Sequence, residues 1–278
     1  MNHGSTGNTM AHSHDDLIKE HYKTQADKHG VSSASTMEDE VVRQKEIDLI
    51  AGFFMLLGRN GLKVLDLGCG NGYTLDVLTR AHPSHAYAGL DFSEDMLTVA
   101  RQRGLPVQEW LHGDARALPF ESSSFDVVYT ERCLVNLLEW EGQEKALREV
   151  YRVLKPGGYY LMIEGFTDGW FNYNKARREC GLDEISQPYH NRFFDKDLFL
   201  KSISDLFDVI DPAKIDPSSG PKLLPANFLS SHYFVARVLH PLVQRGDFVR
   251  NSELVKFFSF LPPSGNYSPI QAQLLQKK

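Results

Sequence analysis

Four stretches of this 278-residue chain carry residue types at spacings that can do chemistry. The first is Val64-Leu65-Asp66-Leu67-Gly68-Cys69-Gly70-Asn71-Gly72, an apolar run ending in G-x-G-x-G. Glycines there let the backbone bend sharply and let a ligand approach with no Cβ in the way. A dinucleotide fingerprint needs its third glycine one position later, where Tyr73 stands, which disfavours nicotinamide chemistry. The second stretch, Gly89-Leu90-Asp91-Phe92, ends an apolar run in a carboxylate placed to accept from both hydroxyls of a ribose. Phe92 can then lie on the adenine face. In the third, His112-Gly113-Asp114-Ala115, Asp114 can accept from the adenine amino group while the Ala115 N–H reaches a ring nitrogen. Any one of these carboxylates also reads as a helix cap or turn former. The glycine turn and these two carboxylates, three elements in register at adjacent strand ends, read together as a nucleoside site.

The fourth stretch, Glu131-Arg132-Cys133-Leu134-Val135-Asn136, holds two charges suited to a polar or acidic acceptor, with a mutual or helix-surface ion pair as the other reading. Glu164 ends Met162-Ile163-Glu164-Gly165, where its carboxylate would point into the cleft as base or acceptor-orienting group, with a structural role as the equal alternative. His190 belongs with the catalytic candidates because an imidazole titrates in the neutral range, with an incidental loop histidine as the other reading. Cys133 reads as a packing residue. Trp170, Phe171, Tyr173, Tyr233 and Phe234 suit either an acceptor pocket or a core; Arg237 and His240 read as surface residues.

Elements must position these groups. The spacing predicts a helix from Asp15 and a second over about Met37–Leu57, capped by Ser35 or Thr36. Strands follow at Lys63–Leu67, Ala86–Leu90, Val107–Leu111, Phe125–Thr130 and Tyr159–Glu164, alternating with helices over Tyr73–Arg80, Ser93–Arg103 and Gly142–Val153. That alternation means βαβ units and a parallel sheet with helices on both faces. The pattern loosens from Gly165 to Asn191. It resumes with a helix over Asp195–Asp205 capped by Asp195, a strand over Phe207–Ile210, helices over Ser230–Gln244 and Ser252–Leu261, and a last strand over Ile270–Leu275. Residues 1–14, with His3, His12 and His14, read as a disordered tail rather than a metal site.

Composition narrows the class. Hydrophobic residues make up 42% and charged residues 24%, as in an ordinary globular protein. A net charge of −6 argues against a nucleic-acid backbone as partner, since neutralising phosphates takes a surplus of Lys and Arg. The 3 cysteines show no metal or disulfide spacing, so no metal is expected, and a cytoplasmic location is. No run is long enough to span a bilayer.

The chain resembles the class I S-adenosylmethionine-dependent methyltransferases, in the methyltransferase-11-like group. Val64 to Gly72, Gly89 to Phe92, Gly113 to Ala115, Leu118-Pro119-Phe120, Phe125 to Val128 and Arg152 to Gly158 carry the resemblance. It implies a Rossmann-like α/β fold: a seven-stranded sheet, last strand antiparallel, with an N-terminal helical lid (15–58) and a C-terminal helical insertion. The methyltransferase domain is then 59–278, with a cofactor core at 60–165 and substrate-side insertions at 166–194 and 212–265. The cofactor would be S-adenosylmethionine. Gly68, Cys69, Gly70 and Gly72 would pass its amino-acid end, Asp91 hold the ribose, and Asp114 face adenine. Asp66, Phe92, Met96, Gly113, Ala115 and Glu131 complete the set, with Tyr22 and Arg43 reaching from the lid. Simpler relatives carry Ser or Ala and a His where Glu131 and Arg132 stand, so acceptor chemistry does not transfer. The expected activity is SN2 methyl transfer to a small-molecule or saccharide-type acceptor, at oxygen, by a monomer or homodimer. Relatives with such flanks modify natural products or glycans. A nucleic-acid or protein methyltransferase and a catalytically silent partner protein are the alternatives.

Overall fold

The computed structural model describes residues 13–211, 226–244, 251–259 and 261–278. Alternation along the strands sets the layers. In β1 (Lys63–Leu67), Val64 joins one apolar core while Leu65 and Leu67 join the other; in β4 (Phe125–Glu131), Val127 and Tyr129 part from Val128 in the same way. One core thus lies on each face of a seven-stranded sheet ordered β3-β2-β1-β4-β5-β7-β6. The other strands are β2 (Ala86–Asp91), β3 (Glu109–His112), β5 (Leu154–Gly165), β6 (Phe207–Val209) and β7 (Ile270–Lys277). β1 to β5 are parallel, and β7 runs antiparallel to β5 and β6, as the resemblance implied.

On one face, α2 (Glu40–Leu57), α3 (Tyr73–Ala81) and α4 (Glu94–Arg101) bury Ile50, Phe53, Leu78 and Leu97. On the other, α5 (Trp140–Val153) and α7 (Lys196–Ile203) bury Leu147, Val150, Phe199 and Ile203. The chain order reverses between β1 and β4, so the crevice beyond their carboxyl ends is where a sheet of this kind takes its ligand. Helix α1 (His14–His29) closes it, with the Tyr22 hydroxyl donating to Asn136 at 2.8 Å. Among the described residues no helix is long and apolar enough to cross a membrane.

Several expectations are corrected. Ser13 caps α1 through a capping box with Asp16, so helical structure begins inside the segment read as a tail, of which residues 1–12 lie outside the described residues. Ser35 ends a short 3-10 turn (Ser33–Ser35), and the cap of α2 is Asp39, whose carboxylate accepts from Val42 N at 3.2 Å. The loose stretch after Gly165 contains α6 (Thr167–Glu179). Its buried face carries Tyr173, Asn174 and Arg177, and polar residues there hide the apolar period. Asn174 and Arg177 are satisfied by the backbone of Ile185 and Asp183. The helix read over Ser230–Gln244 is α8 (Ser230–Phe234), a π turn (Val235–Leu239) and α9 (His240–Gln244); a further helix, α10, spans Glu253–Ser259. Arg237 and His240 are buried, not surface residues. Within the expected 212–265 insertion, residues 212–225, 245–250 and 260 lie outside the described residues.

Candidate functional site

The glycine turn after β1 is shaped by close contact. Gly68 has φ +84°, and a Cβ there would sit 2.6 Å from the Cβ of Cys133, so no other residue fits without displacing the β4 loop. The turn is fastened to the end of β2: the Asp91 carboxylate accepts from Gly70 N at 2.7 Å and from Ser93 N at 2.8 Å. Burial nevertheless holds the Asp91 carboxyl above its ordinary range. At the end of β3, Asp114 accepts from the Arg116 guanidinium, which also reaches Asp15 of α1 at 2.7 Å. Arg116 holds the Asp114 carboxyl below its usual range although burial opposes it. Lys19 lies 4.8 Å from the Phe92 ring centre.

These groups line a cleft together with Tyr22, Thr36, Arg43, Cys69, Ala115 and Glu131. Its open space is about 90 Å³, below the roughly 300 Å³ at which small-molecule sites begin. Asp15, Ile18, Lys19 and Tyr22 of α1 are among the side chains that narrow it.

A charged array supports the cleft. Arg43, 6% exposed, donates to Glu131 at 2.9 Å and to the Thr74 hydroxyl at 2.8 Å. Thr74 in turn donates to the other Glu131 oxygen at 2.5 Å. Glu131 and Arg132 are not a mutual pair: Arg132 joins the fully buried Glu46. Burial raises the Glu46 carboxyl above its ordinary range. Asp66 lies in register with Tyr129 on the neighbouring strand, and burial raises it well above the carboxylate range.

A second cavity, about 380 Å³, adjoins the first. Tyr22, Thr36 and Arg132 line both. Its far walls come from α6, α8 and the loop before α7, and include Trp170, Tyr173, Tyr233, Phe193 and His190. Of the aromatic residues read in the insertions, Phe171 is 60% exposed and stands outside it.

Of the expected cofactor set, Tyr22, Arg43, Gly68, Cys69, Gly70, Asp91, Phe92, Gly113, Asp114, Ala115 and Glu131 line the cleft. Asp66, Gly72 and Met96 do not: Met96 is fully buried, and a Cβ on Gly72 would meet Trp110 at 2.9 Å. Glu164 faces neither cavity. It is fully buried and accepts from the backbone N–H groups of Cys133, Leu134 and Val135 at 3.0, 3.0 and 3.1 Å. Of its two readings these contacts favour the structural one, a clamp on the β4 loop, and the expected orientation into the cleft is corrected. That clamp accompanies the left-handed backbone of Arg132, at φ +56°. His190 does line the second cavity, stacked 4.0 Å from His21 of α1. Burial and then His21 lower it to about 4, so it lacks the neutral-range titration expected of it. Sequence reading had no signal for Thr36 as a site residue, because its place follows from the turn before α2 folding against Gly70, whose Cβ would meet the Thr36 methyl at 3.0 Å.

With that geometry in hand, comparison with known proteins is informative. A family model described as "Methyltransferase domain" matches residues 64–158. A demethylmenaquinone methyltransferase of Lactococcus lactis subsp. lactis is 44% identical over 109 residues, which are 37% of this chain and 42% of the relative. One of Staphylococcus aureus is 39% identical over 109 residues, 38% of this chain and 44% of the relative. The chain thus spans less than half the length of the curated relatives it matches. A chain of the complex between the Haloferax volcanii Trm112 methyltransferase activator and a methyltransferase superposes with a TM-score of 0.53 at 17% identity, covering 93% of this chain and 96% of that one. A Pyrococcus horikoshii OT3 protein gives 0.52 at 24% identity, covering 69% and 92%. At those identities the likeness is one of fold.

Proposed function

We propose that this chain, whose residues 64–158 match a family model described as "Methyltransferase domain", is a class I S-adenosylmethionine-dependent methyltransferase that transfers a methyl group to a small molecule held in the second cavity. The observation that carries the reading is the shared wall: Tyr22, Thr36 and Arg132 line both the cleft at the switch point of the sheet and the aromatic cavity beside it. The cleft residues suit S-adenosylmethionine. Arg43 has a buried Nε without a hydrogen-bond partner, a donor for the methionyl carboxylate. Asp91 offers oxygens for ribose hydroxyls, and Asp114 with the Ala115 N–H offers an acceptor and a donor for adenine.

When bound, that cofactor supplies a methyl already activated on a sulfonium, so the acceptor displaces it directly. The chain's task is alignment and exclusion of water. Helix α1 covers the cleft through Tyr22 and the Asp15–Arg116 pair. The second cavity holds the acceptor against the shared wall. A saccharide-type or other ring acceptor attacked at oxygen fits aromatic faces mixed with polar groups. That the curated relatives are named for a small molecule, demethylmenaquinone, supports a small acceptor over a nucleic acid or protein.

Saturating S-adenosylhomocysteine is expected to raise the melting temperature, and NAD to leave it unchanged, because a ligand that binds only the folded state stabilises it. Equal melting temperatures with and without S-adenosylhomocysteine would remove the cofactor assignment. Asp91→Ala should weaken its binding by about 1–3 kcal/mol, the cost of leaving polar partners unpaired. Calorimetric titration checks this, and unchanged affinity takes Asp91 out of the site.

A further inference from the structure

Among the buried polar atoms around the second cavity, the Thr36 hydroxyl and Nδ1 of His190 have no hydrogen-bond partner. Leaving a buried polar atom unpaired is unfavourable, so a group that satisfies both gains affinity. The cavity's two guanidiniums are already balanced: Arg132 meets Glu46, and Arg237 lies 3.6 Å from Asp39. An anionic ligand would thus find no uncompensated charge, and burying it beside those carboxylates would be unfavourable. The walls also include Trp170, Tyr173, Phe193 and Tyr233, together with polar Gln25, Asn191 and the acidic Glu38.

We propose that Thr36 and His190 form a two-point hydrogen-bond site that selects an uncharged, hydroxyl-bearing ring as the methyl acceptor and orients its hydroxyl at the wall shared with the cofactor cleft. The inference rests on the functional reading above. With its proton on Nε2, the neutral His190 imidazole accepts from the ring hydroxyl at Nδ1. The stack on His21 holds the imidazole plane. Thr36, lining both cavities, can donate to or accept from the same hydroxyl. His190 acts here as an orienting acceptor, and the hydroxyl proton stays on the ligand in this binding step.

The test uses 4-nitrophenol, whose neutral and ionised forms absorb differently, and 4-nitrobenzoate as its anionic counterpart, both titrated into the full chain with S-adenosylhomocysteine present. The expected result is binding of 4-nitrophenol in its neutral form, with weaker binding of 4-nitrobenzoate. Thr36→Val and His190→Phe should each weaken 4-nitrophenol by about fivefold to tenfold, the worth of one neutral hydrogen bond. Thr36→Ser, which keeps the hydroxyl, should bind as the parent does. Binding of the ionised form, a preference for 4-nitrobenzoate, or parent-like affinity in both Thr36→Val and His190→Phe overturns the proposal. The functional reading fails separately, if S-adenosylhomocysteine does not stabilise the parent chain.

Discussion

Replacing Arg43 by alanine is expected to cost about 3–5 kcal/mol of folding stability, the usual result of removing one partner of a buried charge pair. Its guanidinium meets Glu131 at 2.9 Å and Thr74 at 2.8 Å, and lies 3.9 Å from Glu46. Without it, Glu131 loses its cation in a site where Glu46 and Asp66 are also buried. Cofactor affinity should fall as well, since the cleft loses the Nε donor. The two effects separate in the double variant Arg43→Met, Glu131→Gln, which removes both charges. That chain should regain most of the stability in urea unfolding while still binding S-adenosylhomocysteine weakly by calorimetry. A single variant as stable as the parent would show that the array does not depend on the pair.

The second large effect concerns pH. Burial pushes the Glu164 carboxyl up from its ordinary 4.5 to about 7, against the three backbone N–H groups that favour the charged form. The folded chain therefore holds a proton on Glu164 that the unfolded chain has released between those values. Its contribution to stability is complete below pH 4.5 and is lost as pH rises towards 7. At about 1.4 kcal/mol for each pH unit, the loss amounts to about 3 kcal/mol across the window. Glu164→Gln mimics the neutral carboxyl and should flatten that slope. Asp66, Glu46 and Asp91 are raised by burial too and add slope of the same sign in both chains, so the difference between them isolates Glu164. Denaturant unfolding at several pH values reads it out; parallel slopes would place the titration elsewhere. The variant should also loosen the β4 loop, because an amide offers one oxygen where the carboxylate offers two.

The segment 64–158 was legible because its signals are local. A glycine at Gly68 is needed by a turn a few residues long, and Asp91 and Asp114 stand at strand ends that period and length reveal. Helix α6 was not legible, since its buried face carries Asn174 and Arg177, whose partners are backbone groups of a loop with no sequence signature. The cap of α2 was missed for a related reason. Asp39 is chosen over Ser35 or Thr36 because its carboxylate also meets His232, 193 residues away, at 3.0 Å.

By itself the sequence determined the succession of core strands and helices, the glycine turn and the carboxylates at the strand ends, since each follows from backbone sterics or alternation over a few residues. Only the tertiary structure decided what the remaining polar groups do. Glu164 became a backbone clamp, and Arg132 turned to Glu46 rather than to its neighbour Glu131. His190 lost its neutral-range titration beside His21, and Thr36 came to stand between two cavities. The reason is common to all four: burial makes each polar side chain seek a partner, and which partner is within reach depends on elements far apart in the chain.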